Sequence, residues 1–117
     1  MNFLGSGADV EEQTMEWYVF LACFGAGLFL ANGVPHFVNG ISGNPFQSPF
    51  ASPPGVGESS PLVNVIWGAS NLIIGYLLLH GVGDFEGGLS LDVFVVTFGA
   101  LFAAVGLAWH FGRIRNR

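Results

Sequence analysis

The chain has 117 residues, 51% of them hydrophobic, and a formal net charge of −5. We expect one small helical bundle and no sizeable soluble domain beside it. With only three basic residues the chain lacks the positive surface that binds nucleic acid, and its single cysteine, Cys23, excludes an internal disulfide.

Charge-free apolar segments dominate the sequence. They are about 18 to 21 residues long and cover 17–34, 62–82 and 93–112. As helices they measure ~27 to 32 Å, which matches the hydrocarbon core of a bilayer. Lipid offers no partner for backbone N–H and C=O groups, and none of the segments alternates in polarity, so strands are disfavoured. The sequence therefore predicts an all-α integral membrane bundle of three transmembrane helices, a single domain over 1–117.

The first helix has a predicted start and a predicted interruption. Asp9 and Glu12 have the spacing of a capping box, which places the helix start near Val10, ahead of the span 17–34. Pro35 has no N–H and disfavours helix at the residue before it. We therefore expect the first helix to end or kink there.

A long connection, 39–59, joins the first two spans and is rich in Gly, Pro, Ser and Phe. Connections of this length usually have a function or are disordered, and disorder is the less favoured alternative here. Phe46 and Phe50 each follow a proline, which suggests that they enter the headgroup region or fold against the bundle mouth. The loop is interpreted either as an interfacial anchor or as a lid or partner-docking segment.

The second and third spans carry recognisable helix starts. Ser60 is a good cap residue and Pro61 suits the first helical position. Ser90 is the predicted cap of the third span, and Asp92 lies in its first turn, where the helix dipole favours a negative charge.

Charge placement predicts the orientation. Arg113, Arg115 and Arg117 directly follow the third span. The positive-inside rule then makes the C-terminus cytoplasmic and the N-terminus external. The expected location is a bacterial-type inner (plasma) membrane.

Small residues recur at helical spacing within the spans. They allow helix backbones to approach closely, so these positions are predicted helix contacts. The predicted contact residues are Gly25, Gly68, Gly75, Gly99, Ala103 and Gly106.

Polar and aromatic side chains in the spans or just beyond them are candidates for a ligand site or a pore lining: Asn32, His36, Asn64, Trp67, Asn71 and His110. In the predicted orientation they converge on the cytoplasmic half of the bundle, with Asn32 and Asn71 deepest. Imidazoles and carboxamides can bind a metal, a haem, a quinone headgroup or a small polar solute. The structural alternative is hydrogen bonding between helices and at the interface. No metal-binding motif is present, and the sequence does not identify a cofactor.

Function is less constrained than architecture. No span holds a carboxylate or a lysine, and no catalytic or phosphate-binding motif is present, so an enzymatic role has the least support. The leading hypothesis is a small non-catalytic membrane protein acting as a homo-oligomer or as an accessory subunit of a larger membrane complex. One alternative is an oligomeric channel or carrier for a small neutral solute, lined by Asn32, Asn64 and Asn71. Another is a membrane redox or cofactor protein ligated by His36 and His110. The expected partners are the bilayer and further copies or other membrane subunits.

Overall fold

The computed structural model describes residues 16–83 and 85–116. Most of them belong to three helices: α1 (Trp17–Ile41), α2 (Pro61–Leu77) and α3 (Leu91–Arg115). A π-helical segment, Leu78–Val82, continues α2, so that this helix covers Pro61–Val82 without a break. All three helices are long and apolar enough to cross a membrane, which confirms the prediction of three helices of this kind. The predicted start near Val10 lies outside the described residues.

Helix α1 does not end at Pro35 but runs on to Ile41. The missing N–H of a proline removes one backbone hydrogen bond, and packing on either side compensates for it. Ideal Cβ atoms built on Gly33 and Gly40 would lie 2.9 Å and 2.6 Å from backbone atoms of α2. These close contacts hold α1 against α2 both before and after the proline. Of the two predicted outcomes, an end of the helix at Pro35 is wrong, and the extension carries His36 into the bundle.

The connection between α1 and α2 is held by a short antiparallel hairpin. Its strands are β1 (Phe46–Gln47) and β2 (Glu58–Ser59), and Phe46 pairs with Ser59. Strand β1 also lies against α1. The segment predicted as one loop over 39–59 therefore consists of the end of α1, this hairpin and the turns between its strands.

The starts of α2 and α3 use different chemistry. Ser60 caps α2 by accepting a hydrogen bond from the backbone N–H of Val63 at 3.2 Å, with Pro61 following it as predicted. Ser90 precedes α3, but its side chain makes no capping bond to the helix. Its hydroxyl instead bonds to the carboxylate of Asp92, which also accepts the backbone N–H of Val93 at 2.7 Å.

Both extensive helix–helix contacts involve α1. Against α2, a Cβ built on Gly68 would lie 2.5 Å from the backbone nitrogen of Phe37, and one on Gly75 would lie 2.7 Å from the Leu30 side chain. A Cβ built on Gly25 would lie 3.6 Å from a Cδ atom of Leu78, which is an ordinary van der Waals contact. The contact between α1 and α2 thus depends on glycines from both helices.

The contact between α1 and α3 is built the same way near its centre. A Cβ on Gly99 would collide with the carbonyl oxygen of Phe24, and one on Gly27 would collide with the carbonyl oxygen of Val96. Further along α3 the packing loosens, because Ala103 is only partly buried and Gly106 has no heavy atom within 4 Å of an added Cβ. The half of α3 nearer its C-terminus therefore has fewer protein neighbours.

Candidate functional site

Most of the candidate side chains lie at one end of the bundle, where α1 ends, α2 begins and α3 ends. We call it the arginine end, because Arg113 and Arg115 lie in the last turn of α3. The hairpin of the connection lies here too, since it joins the end of α1 to the start of α2. The site is thus built from all three helices and the segment between α1 and α2.

A buried pair, His36 and Asn64, forms its centre. They are 3% and 0% exposed, and His36 Nδ1 lies 2.9 Å from Asn64 Oδ1. The Asn64 amide nitrogen donates to the carbonyl oxygens of Phe46, Ser59 and Ser60 at 3.1, 3.2 and 3.1 Å. Because that nitrogen faces carbonyls, the amide oxygen faces the imidazole. His36 Nδ1 is therefore the donor, and Nε2 carries a lone pair.

Aromatic rings surround this imidazole. Ring centroids of Phe46, Trp67 and Phe111 lie 5.4, 6.3 and 6.2 Å from that of His36. Within the described part of the chain, His36 Nε2 has no hydrogen-bond partner, and the buried indole N–H of Trp67 has none either. The cluster thus combines an apolar wall with one free acceptor and one free donor.

The two phenylalanines of the connection have different environments. Phe46 is 6% exposed and packs against Phe111 at a centroid distance of 4.8 Å. Phe50 is 64% exposed, although its ring contacts Trp67 edge to face at 5.1 Å. Phe46 is therefore part of the protein core, whereas Phe50 covers Trp67 from outside.

Asn32 and Asn71 form a second polar pair between α1 and α2. The Asn32 amide donates to Asn71 Oδ1 at 3.0 Å, and the Asn71 amide donates to the carbonyl oxygen of Trp67 at 2.8 Å. Asn71 is 1% exposed. This pair is linked to the His36 cluster through the backbone of Trp67 rather than by a direct side-chain bond.

His110 lies apart from the His36–Asn64 pair. Its Nε2 atom donates to the carbonyl oxygen of Gly55 at 2.8 Å, which ties α3 to the connection. Both histidine rings pack near Phe111, but no group of three or more His, Cys, Asp or Glu residues in the described ranges could hold a metal ion. The structure thus groups His36, Asn64 and Trp67, pairs Asn32 with Asn71, and gives His110 a separate partner.

Several site residues have no signal in the sequence. Arg115 donates to Gln47 Oε1 at 3.1 Å, and its guanidinium carbon lies 4.6 Å from the centroid of Phe46. Ser48 is buried and its hydroxyl lies 2.5 Å from that of Ser59. An arginine in the last turn of a helix predicts membrane orientation and interacts favourably with the helix dipole. Its hydrogen-bond partner in a distant loop depends on the tertiary structure.

The chain matches no family model, no curated protein and no solved structure.

Proposed function

We propose that this chain is a small non-catalytic membrane protein that acts as a homo-oligomer or as an accessory subunit of a larger membrane complex. The observation that carries the proposal is the open helix arrangement. Helix α1 packs extensively on both other helices, whereas α2 and α3 each have only α1 as an extensive neighbour. Further helices from another copy or another protein would cover the free faces of α2 and α3.

Helix α3 supports this proposal most strongly. Over an apolar stretch of 18 residues, 17% of the residues of α3 are buried, whereas the same length of α1 or α2 has 28% of its residues buried. Gly106 lies on its less covered half with open space beside it. Small residues let a second helix approach closely in a membrane, where packing rather than water exclusion drives association. Gly106 is the proposed centre of a contact with a partner helix.

The hydrogen bonds of the buried asparagines favour a structural role for them. Asn64 and Asn71 use their side chains to bond to neighbouring groups. For the same reason the channel alternative lined by Asn32, Asn64 and Asn71 has less support. In the orientation we propose, the arginine end faces the cytoplasm, because positive residues favour that side.

Cysteine crosslinking tests the proposed contact. In a Cys23→Ser background, Gly106→Cys in native membranes should form a disulfide on oxidation with the same introduced cysteine of a second copy. Ala108→Cys is the matched control, since it lies two residues along the same helix and ~200° around it. Crosslinking at neither position, together with a monomeric mass in lipid, would refute the proposal.

A second candidate function, binding of a cofactor through His36, is favoured by one observation. His36 Nε2 has no hydrogen-bond partner among the described residues, while Nδ1 is held by Asn64. A histidine that ligates a metal commonly donates its other ring N–H to a fixed acceptor, as here. An absorption spectrum and metal analysis of the purified protein, compared with His36→Ala, would test it. A colourless, metal-free wild-type protein would rule out a haem or metal at this residue.

A further inference from the structure

A cavity of about 200 Å³ lies at the arginine end, outside the His36–Asn64 pair. It is lined by Val56, from the connection, and by His110, Arg113 and Ile114, from α3. Its wall is thus half apolar and half basic in residue type. Such a wall suits a ligand with an anionic group next to an apolar one.

Among the described residues, Arg113 of this cavity has no ionic partner. The Arg113 guanidinium carbon lies 4.6 Å from the ring centroid of Trp109, but its N–H groups bond to no described residue. Arg115, in contrast, is bonded to Gln47 and stacked on Phe46. Arg113 therefore retains donors that match the oxygens of a phosphate, which guanidinium groups bind well.

The cavity wall is held in a defined shape. His110, Arg113 and Ile114 lie on one helix face because their spacing is three and four residues. The bond from His110 to the Gly55 carbonyl holds the connection against this face. Gly55 has a φ of +75°, in the left-handed region that favours glycine, so the turn beside the cavity depends on that residue.

The level of the cavity in the bilayer follows from Trp109. This side chain is 63% exposed at the end of an apolar helix, and tryptophan is enriched at the headgroup level of membranes. A phospholipid places its phosphate at this level, above the polar glycerol esters and the apolar acyl chains. The cavity offers Arg113 for the phosphate, with Val56 and Ile114 as apolar neighbours beside it.

We propose that this cavity binds the headgroup of an anionic phospholipid. A zwitterionic lipid neutralises its own phosphate, whereas the positive charge of Arg113 favours a lipid with net negative charge. Basic pockets beside transmembrane helices on the cytoplasmic side bind such headgroups. The proposal goes beyond the association of helices and does not depend on it.

Native mass spectrometry of the full chain with added phosphatidylglycerol or phosphatidylcholine tests the site. The wild-type protein should retain phosphatidylglycerol preferentially, and Arg113→Gln should weaken its binding about tenfold, as expected for the loss of one hydrogen bond to a charged group. Arg117→Gln removes the same formal charge from the chain and should keep the preference. Equal losses in the two variants would show diffuse attraction and overturn the site.

Two further experiments test the cavity independently of its arginine and distinguish a lipid from a soluble anion. Val56→Trp fills the cavity and leaves every arginine in place, so it should also weaken the preference, while circular dichroism checks that each variant is folded. An unchanged preference in Val56→Trp would overturn the proposal. Inorganic phosphate at millimolar concentration should not displace phosphatidylglycerol, and displacement would assign the cavity to a soluble anion instead of a lipid.

Discussion

Asn64 Oδ1 accepts the Nδ1 proton of His36 at 2.9 Å, and this bond joins α2 to α1 at the arginine end. The amide nitrogen of the same side chain bonds to the carbonyl oxygens of Phe46 and Ser59, one on each strand of the hairpin. One fully buried amide therefore holds two helices and the segment between them in register.

Replacing Asn64 should destabilise the protein clearly. Asn64→Leu keeps a similar volume but leaves the His36 N–H without its acceptor and removes the amide donor from the facing carbonyls, and one unsatisfied buried group costs about 1 to 3 kcal/mol. Reversible unfolding in mixed micelles measures the loss. Asn116→Ala, which removes an exposed amide bonded to the Gly112 carbonyl, is the control and should change little. A stability of Asn64→Leu equal to that of the wild type would contradict the central role of this amide.

The Asn32–Asn71 pair should contribute much less. Interhelical hydrogen bonds in membrane proteins average about 0.6 kcal/mol in double-mutant cycles, because the unfolded chain also finds partners in the membrane. A cycle with Asn32→Ala and Asn71→Ala should give a coupling energy near that value. A coupling above about 2 kcal/mol would mean that this pair, rather than His36 and Asn64, dominates the polar contacts.

Glycine substitutions should separate packed from open positions. Gly68→Ala places a Cβ 2.5 Å from the Phe37 backbone nitrogen, so α1 and α2 must separate. Overpacking of this kind costs typically about 1 to 3 kcal/mol. Gly106→Ala meets no atom within 4 Å and should not destabilise the single chain in dilute detergent, where helix propensity favours alanine by up to about 1 kcal/mol. Equal effects at the two positions would contradict the packing described.

The two phenylalanines of the connection should respond differently to truncation. Phe46→Ala removes a buried ring, a change that typically costs about 3 to 5 kcal/mol, and should release the hairpin from the helices. Limited proteolysis should then cut the segment 48–57 faster than in the wild type. Phe50→Ala, at an exposed ring, is the matched control and should be cut at nearly the wild-type rate. Similar cleavage of both variants would argue against a docked hairpin.

The sequence predicts the helices well because their physical cause is local. Charge-free segments of bilayer length predict spans, and Ser60 with Pro61 marks the start of α2 correctly. At Pro35 the expectation of a helix end fails, and the close contacts of Gly33 and Gly40 with α2 hold the helix together on both sides of the proline. The proline rule describes an isolated segment and does not include this packing.

The site is only partly predictable for a related reason. Residue types in the spans single out His36, Asn64 and Trp67, because polar groups in an apolar segment need partners. They do not reveal that Phe111 completes the aromatic wall or that Gln47 accepts from Arg115. Those contacts join positions far apart in the chain, and no spacing rule links them.

The mass of the protein in bilayer discs tests the proposed function most directly. Native mass measurement after gentle release from the discs should show more than one 12.4 kDa chain, or one chain together with another membrane subunit. The free faces of α2 and α3 would then be covered by partner helices. A stable single chain with no copurifying protein, across the range of lipid compositions, would contradict the account.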